Sequence, residues 1–382
     1  MTVSDQERLA RLALARVAQP GSHAIHAALQ QAPATEVWAA VREGEPLGQL
    51  GQGALDGMAG RVRLCEPERD LERLGDVGGR VVCPGDEEWP ETLAWSLDTF
   101  SGEMAPPFVL LLRGPGDLGT AAAGSVAVVG ARAATPYGTH VATELAFALA
   151  EAGVSVVSGG AYGIDAAAHR GALTAQAAPT IAVLACGPDM AYPRGNDRLL
   201  AQVAETGLIV SEVPPGSHVT RMGFLVRNRL VAALSTGTVV VEAALRSGSL
   251  STAGRALDLG RHVMAYPGPV TSTQSAGCHA LIRDRGAVLV TDAAEVLEVI
   301  GASGEHLLAP RRGQVHPRDG LEDIARRVLD ALPVRKPIGV ARVAAGAGVS
   351  ALVVQQVLPA LLLAGLVEQK DGGWKLTTLG AS

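Results

Sequence analysis

The sequence predicts an α/β fold in which helices cover both faces of a parallel sheet, with smaller domains before and after it. Three observations lead to this prediction. Between residues 125 and 300, short apolar runs alternate with helix-length segments that carry one apolar face. Continuous apolar strands are typical of a parallel sheet that is buried on both faces. Short helical segments precede this region, and three helices and a hairpin follow it.

A chain of 382 residues is long enough for two or three domains. Residues 1–75 read as a small helical domain, and residues 76–300 as the α/β domain. A polar stretch rich in glycine and proline, 301–320, reads as a linker. Residues 321–382 read as a winged helix, whose third helix begins after the N-cap Ser350.

The composition argues against several classes of protein. The formal net charge is −6, so no overall positive field attracts nucleic acid, and an anion site must be a local patch. The four cysteines are scattered, without the spacing of a metal site or a disulfide framework. No signal peptide or membrane span is apparent, so we expect a cytoplasmic protein that does not insert into membranes. Only three of the 32 basic residues are lysines (Lys336, Lys370 and Lys375), so phosphate contacts before them must come from arginine, backbone N–H groups or hydroxyls.

Ligands of parallel sheets bind beyond the carboxyl ends of the strands, so the loops that follow the strands carry the candidate site. The stretch SGGAYGIDAAAHRG, 158–171, has three glycines in five residues before a helix. Glycines permit close backbone approach, and the helix N-terminus favours an anion. Asp165 is expected to cap this helix and His169, one turn later, to contact it, which makes a structural pair more plausible than a catalytic one.

Other strand ends add arginines and hydroxyls. Arg132 follows Gly130 at the first strand end, and the loop 186–200 carries Tyr192, Arg194, Asn196 and Arg198. The apolar helix 222–235 contains Arg227, Asn228 and Arg229. Because successive helical positions diverge by about 100°, Arg227 and Arg229 cannot both be ordinary surface residues. Glu242 ends another strand, and Ser247 and its neighbours are expected to cap a helix or bind phosphate. The sequence contains no Walker A lysine, HExxH or GxSxG motif, and nothing supplies an activated nucleophile.

An ordered series of motifs resembles the bacterial DNA-processing protein A family, DprA, also called Smf. The resemblance covers residues 125–290 closely, and the motifs are VVGARAATPYG, SGGAYGIDAAAH, AVLACGPDMAYPRGN, SEVPPG, FLVRNRLVAALS, VVVEAALRSGSLSTAGRA, GRHVMAYPGPV and SAGCHALI.

The resemblance implies an extended Rossmann fold that forms a homodimer and binds single-stranded DNA. It further implies a role in natural transformation, in which the protein protects incoming DNA, loads RecA recombinase onto it and helps displace single-strand binding protein. No catalysis, cofactor or metal is implied. The usual accessories are an N-terminal SAM-like domain and a C-terminal winged helix, in agreement with the segments described above.

Carried over by position, the resemblance places the DNA site at Gly130, Arg132, Ser158, Gly159, Gly160, Tyr162, Arg194, Arg198, Arg227, Asn228 and Arg229. Asp165, His169, Glu242 and Ser247 are expected to be structural residues near the pocket. Tyr162 departs from the family pattern, which usually has arginine there. We therefore expect this tyrosine to stack on a base.

Two alternative functions stay open at this stage. One is a purely structural adaptor that acts through its end domains, although it would leave the arginine-lined strand ends unexplained. A Rossmann-type phosphoribohydrolase, which cleaves nucleoside monophosphates, would use a glycine-rich loop and a strand-end glutamate such as Glu242. The C-terminal domain presents a second question, because the helix from Ser350 carries no Lys or Arg. A DNA-reading helix needs such side chains, so we favour a protein-contact or regulatory role, with contact to DNA left to Lys370 and Lys375.

Overall fold

The structure is a computed structural model that describes residues 3–95, 99, 104–302, 305–306 and 318–381. The chain forms two compact units, Met1–Leu308 and Ala309–Ser382. The linker predicted at 301–320 lies largely outside the described residues.

Among the described residues, the first unit forms a nine-stranded sheet, and seven of its strands coincide with the apolar runs between residues 125 and 291. The strands are β1 (Gly79–Val82), β2 (Leu110–Arg113), β3 (Val126–Val129), β4 (Val156–Ser158), β5 (Ile181–Leu184), β6 (Leu208–Ser211), β7 (Gly237–Val240), β8 (His262–Ala265) and β9 (Val288–Leu289). Their order is β1-β2-β6-β5-β4-β3-β7-β8-β9. Strands β3 to β9 pair in parallel, and β1 and β2 extend the β6 edge in antiparallel pairing. The α/β class and the parallel sheet are thus confirmed.

Helices precede the sheet and connect its strands. The N-terminal helices are α1 (Asp5–Val17), α2 (His23–Leu29), α3 (Ala34–Glu43), α4 (Gln52–Val62) and α5 (Pro67–Asp76). The helices between and after the strands are α6 (Leu118–Ala122), α7 (Pro136–Glu151), α8 (Ile164–Ala175), α9 (Asp197–Thr206), α10 (Arg221–Ala233), α11 (Ser249–Asp258), α12 (Ala276–Arg285) and α13 (Ala293–Ile300).

The central strand β3 shows why the sheet needs helices on both sides. Successive side chains of a strand point to opposite faces. Val126 and Val128 pack in one apolar core with α7 and α8, whereas Ala127 and Val129 pack in the other with α10 and α11. All four side chains are buried, so an uninterrupted apolar run is required here.

The N-terminal helices share an apolar core with β1 and β2. Arg16 at the end of α1 forms an ion pair with Asp70 on α5, with 2.5 Å between Nη2 and Oδ1. The same guanidinium donates to the carbonyl oxygen of Pro215, beyond β6. These helices and the sheet therefore belong to one compact unit.

Strand order reverses between β3 and β7, which are neighbours in the sheet although three strands (β4, β5 and β6) lie between them in the sequence. The chain steps outward from β3 through β4, β5 and β6 in one direction, and from β7 to β9 in the other. The connecting loops at the carboxyl ends of β3 and β7 consequently diverge, and a crevice forms between them.

The second unit contains helices and the predicted C-terminal hairpin. They are α14 (Asp323–Asp330), α15 (Val340–Ala347), α16 (Ala351–Leu363), the strands β10 (Val367–Lys370) and β11 (Gly373–Leu376), and a last turn, α17 (Thr378–Ala381). Ser350 caps α16 by accepting a hydrogen bond from Val353 N, as predicted.

Within the described ranges, no single helix has the length and apolar character needed to cross a membrane. The pair α15 and α16 meets both criteria when taken together, but the chain bends by 101° between them.

Candidate nucleic-acid interface

A cleft of about 810 Å³ opens at the crevice between β3 and β7. Residues 129–133, at the end of β3 and just after it, form one side, and residues 244 and 246–249, between β7 and the start of α11, form another. The first turns of α10 and the start of the glycine-rich loop after β4 also contribute. Single residues from other segments, among them Asp165, Tyr192, Thr252 and Gln274, line it as well. The cleft therefore lies where the reversal of strand order predicts a ligand site.

Four arginines line this cleft: Arg132, Arg221, Arg227 and Arg246. Arg227 is buried, whereas the other three are exposed. Among the described residues, the Arg132 guanidinium has no hydrogen-bonding partner, and it lies 4.9 Å from the centroid of the Phe224 ring. Exposed guanidiniums beside an aromatic ring can hold phosphates while a base stacks.

Phe224 is the centre of an aromatic and cationic cluster. The ring centroid of Tyr192 is 5.6 Å from that of Phe224, with the planes tilted by 50°. Arg227 approaches the Phe224 ring at 5.9 Å. Phe224 lies near the start of helix α10. Thr220 caps the first turn of this helix by accepting a hydrogen bond from Gly223 N at 2.9 Å, and the capped turn positions the ring.

Arg227 binds the backbone of the glycine-rich loop. Its Nη1 donates to the carbonyl oxygens of Gly159, at 2.6 Å, and of Val183. A Cβ at position 159 would lie 2.7 Å from this guanidinium, so the close approach requires glycine. Burial lowers the pKa of Arg227, and the nearby Asp165 carboxyl opposes that shift. Arg227 thus places a positive charge in the lining of the cleft, while its own N–H groups donate to backbone carbonyl oxygens.

The sequence predicted that Asp165 caps α8 and that His169 pairs with it, and both predictions are wrong. The N-cap of α8 is Gly163, with φ +75°, and Asp165 accepts a hydrogen bond from Ala161 N in the preceding loop at 3.3 Å. Burial raises the pKa of Asp165, an effect opposed by Arg227 and by the loop N–H groups. His169 forms no hydrogen bond with Asp165. Its Nδ1 lies 2.8 Å from Thr180 Oγ1, because that position on α8 faces the buried end of β5.

Glu242 anchors the segment that carries Arg132. Its carboxylate accepts hydrogen bonds from Thr135 N at 2.9 Å and from Thr135 Oγ1 at 2.6 Å. Its backbone oxygen accepts from Ala131 N at 2.7 Å. The carboxylate is buried and both oxygens are engaged, which fits a structural anchor better than a catalytic group.

Several predicted residues lie in or beside the cleft. Gly130, Arg132, Gly159, Arg227, Asn228, Asp165 and Ser247 line it. The Oγ atoms of Ser247 and Ser249 are 2.7 Å apart, and Asn228 Nδ2 lies 3.4 Å from the Gly248 oxygen, so this side is polar.

Other predicted residues do not line the cleft. Ser158 is buried, and its Oγ donates to the carbonyl oxygen of Val128. Arg229 is fully buried in an ion pair with Glu212, in which Nη2 is 2.7 Å from Oε1. The prediction that Arg227 and Arg229 are not ordinary surface residues is confirmed, but only Arg227 reaches the cleft. Gly160, Tyr162, Arg194 and Arg198 lie outside the lining as well.

Among the lining residues that the sequence reasoning missed, three carry charged or aromatic side chains: Arg221, Phe224 and Arg246. The sequence contained a signal for Phe224. It lies three residues before Arg227, a predicted site residue, and residues three apart on a helix share a face. Arg246 lies in the loop after β7, next to Ser247. Ligands of parallel sheets bind beyond the carboxyl ends of the strands, so its position also indicated the site.

Comparison with known proteins decides the family. A model of the family described as DNA recombination-mediator protein A matches residues 80–301, more than half of the chain. The chain belongs to this family. The predicted resemblance to DprA is therefore confirmed.

Relatives in the DprA family extend over most of the chain. A protein described as "Putative DNA processing protein DprA" from Mycobacterium tuberculosis is 44% identical over 376 residues, which is 96% of this chain and 94% of the relative. Protein Smf of Escherichia coli is 40% identical over 256 residues, which is 65% of this chain and 67% of the relative.

Two solved DprA structures are similar to this one. DprA from Streptococcus pneumoniae aligns with a TM-score of 0.61 and 29% identity, covering 78% of this chain and 98% of its own. DNA processing protein A from Helicobacter pylori, described for its single-stranded DNA binding mode, aligns with a TM-score of 0.50 and 30% identity, covering 58% of this chain and 94% of its own.

Proposed function

We propose that this protein binds single-stranded DNA in the cleft between the ends of β3 and β7 and performs no chemistry on it. The observation that carries the proposal is the Phe224 ring in the lining of an 810 Å³ cleft, with the exposed Arg132 guanidinium 4.9 Å and the Tyr192 ring 5.6 Å from its centroid. Arginines supply phosphate contacts, and the aromatic side chains supply a stacking surface for a base. The binding mode named for the Helicobacter pylori relative supports the same ligand.

The cellular role is proposed from family membership. The protein protects incoming DNA in the cytoplasm during natural transformation, loads RecA recombinase onto it and helps displace single-strand binding protein, acting as a homodimer. Residues 1–75 serve as a SAM-like domain, and residues 321–382 as a winged helix. The third helix of that winged helix, α16, contains no Lys or Arg, which supports a protein-contact or regulatory role for this domain.

The phosphoribohydrolase alternative is less well supported. It needs a glutamate that faces the substrate, but the carboxylate oxygens of Glu242 accept hydrogen bonds from Thr135. Incubation with nucleoside monophosphates and detection of released base tests this alternative directly. Base release that disappears in Glu242→Gln would replace the binding proposal with a catalytic one.

The Arg132→Ala variant tests the DNA-binding proposal. We expect single-stranded DNA affinity to fall about 10- to 100-fold because a charged hydrogen bond to phosphate is lost. The slope of log affinity against log salt should decrease by about 0.7, the value for one phosphate contact on a single strand. Arg170→Ala, which removes an exposed arginine of α8 outside the cleft lining, is the matched control. Unchanged affinity and slope in Arg132→Ala would refute the cleft as the binding site.

A further inference from the structure

Helix α11 begins at the cleft. Gly248, Ser249 and Thr252, at its N-terminal end, line the cleft together with Arg246 and Ser247 from the loop before the helix. None of these five residues is aromatic or acidic. They offer no ring on which a base can stack and no side chain that repels an anion. We call this part of the cleft the α11 pocket.

The start of α11 has a backbone donor to offer. Its N-cap is Gly248, which has no side chain to accept from the first turn. The N–H groups of Leu250 and Ser251 bond to the oxygens of Ser247 and Gly248, but among the described residues the Gly248 N–H has no acceptor. A helix of ten residues also places partial positive charge at this end. The helix start therefore favours an anion, although it does not by itself define a ligand.

Thr252 is the residue that points to a ligand. Only 2% of its surface is exposed, yet it lines the cleft. Its hydroxyl forms no hydrogen bond with any residue that the structure describes, whereas the buried hydroxyls of Ser158 and Thr180 donate to backbone oxygens. The Thr252 hydroxyl is accessible from the cleft rather than enclosed by protein, so it is free to bind a ligand there.

Two further side chains contribute donors to the α11 pocket. Ser249 lies beside Thr252, because residues three apart on a helix share a face. Its Oγ is 2.7 Å from Ser247 Oγ, and since one hydroxyl donates to the other, the second proton is available to a ligand. The Arg246 guanidinium is exposed, and within the described part of the chain it has no ion-pair or hydrogen-bonding partner.

These donors suit a terminal phosphate better than a phosphate inside a strand. A phosphate that joins two nucleotides has two free oxygens and one negative charge. A terminal phosphate has three free oxygens and carries about 1.5 to 2 negative charges at pH 7. The third oxygen and the additional charge match a pocket that combines hydroxyls, a backbone N–H and a guanidinium.

We propose that the α11 pocket binds the terminal phosphate of a single strand whose bases occupy the rest of the cleft. The hydroxyls of Thr252 and Ser249 and the Gly248 N–H donate to its oxygens, while Arg246 offsets its second charge. The proposal rests on the proposed function, and it adds a preference for phosphorylated strand ends.

The experiment measures the affinity of the full-length protein for oligothymidylate of about 4 nucleotides, the shortest site of single-strand binders. The strand carries a 5′-phosphate, a 3′-phosphate or neither. A phosphate at one of the two ends should raise affinity about 10- to 100-fold, the effect of one hydrogen bond to a charged group. The gain should be retained in Thr252→Ser and should fall about 10-fold in Thr252→Val, which keeps the shape but lacks the hydroxyl.

Two more variants complete the series. Arg246→Ala, at an exposed position, should also reduce the gain from the terminal phosphate, because the second charge is no longer offset. Ser251→Ala removes a hydroxyl of the same helix that does not line the cleft, so it is the matched control and should behave as the wild type.

Thymidine 5′-monophosphate distinguishes a strand end from a free nucleotide. It should bind more weakly than the phosphorylated strand, because it has no further phosphate to reach Arg132. Tighter binding of the mononucleotide would overturn a strand end as the ligand.

Equal affinity of the wild type for the three strands would refute the α11 pocket, as would a gain that neither Thr252→Val nor Arg246→Ala reduces. If the strands still lose affinity in Arg132→Ala, the cleft stands as the binding site without the pocket. If none of the strands responds to Arg132→Ala, the proposed function fails too.

Discussion

Glu242 illustrates how a single side chain changes its meaning once its partners are known. At a strand end beside a glycine-rich loop, a glutamate suggests a catalytic group. In the structure it bonds both the backbone N–H and the hydroxyl of Thr135, while its own backbone oxygen holds Ala131. These contacts fix both ends of the segment that presents Arg132, so Glu242 is best described as a positioning residue.

Replacement of Glu242 tests this positioning role. Glu242→Ala should destabilise the fold by about 1–3 kcal/mol, because the Thr135 N–H and hydroxyl lose a buried partner, and it should also weaken single-stranded DNA binding. Glu242→Gln should preserve much of both, since its amide oxygen can accept from Thr135 N and its amide nitrogen can donate to Thr135 Oγ1. Chemical denaturation and oligonucleotide titration measure the two effects. A glutamine variant as impaired as the alanine variant would show that the negative charge itself is needed.

His169 provides a pH-dependent test at the same scale. Thr180 Oγ1 donates to Val156 O, so it accepts from the N–H at His169 Nδ1. Burial lowers the pKa of His169 to about 4. In the unfolded chain the value is about 6.5, so between these two pH values the unfolded state binds a proton that the folded state does not.

Folding stability should therefore decrease as pH falls from about 6.5 to about 4, by about 3 kcal/mol in total for this group. Denaturation curves measured across that interval for the wild type and His169→Gln check the expectation. The variant should show a flatter pH profile. An identical pH dependence in both proteins would mean that His169 is not buried as described.

Helix α10 shows what periodicity predicts at the level of an element. Three polar residues in succession on an apolar helix implied that one arginine turns inward, and both Arg227 and Arg229 are buried. Their directions differ because they lie about 200° apart around the helix. Only the surroundings of each residue in the folded structure show that Arg227 lines the cleft and that Arg229 pairs with Glu212, which follows β6. The glutamate gave no such signal in the sequence, because 17 residues separate it from Arg229.

The Arg229–Glu212 pair predicts a separation of stability from binding. Arg229→Met should destabilise the protein by about 3–5 kcal/mol, since an uncompensated buried carboxylate remains. The combination Arg229→Met with Glu212→Leu should recover much of this loss. Salt slopes for DNA binding, measured below the unfolding temperature, should match the wild type in both. A stable Arg229→Met variant with a reduced salt slope would place Arg229 among the DNA contacts after all.

The sheet shows how much of the secondary structure and its arrangement can be predicted from the sequence. Apolar runs identified the positions of strands β3 to β9, because burial on both faces leaves a local signature in composition. Strand order depends on pairing between segments far apart in sequence, and no local pattern records it. The reversal between β3 and β7, which creates the cleft, therefore appeared only in the structure.

At the scale of the whole molecule, charge is divided unevenly between the two units. Residues 309–382 carry ten basic and six acidic side chains, a net charge of +4, which leaves 22 basic and 32 acidic side chains, a net charge of −10, for residues 1–308. The cleft lies in the acidic unit. Its arginines therefore act as a local patch against an unfavourable overall field, and strong salt dependence of DNA binding is expected.

The most direct test of the central claim is a titration of the full-length protein with matched single- and double-stranded oligonucleotides at two salt concentrations. A base must leave its stack to reach the Phe224 ring inside the cleft, and in a duplex that step costs additional pairing and stacking energy. We predict tighter binding of the single strand at both salt concentrations. Tighter binding of the duplex would contradict the account.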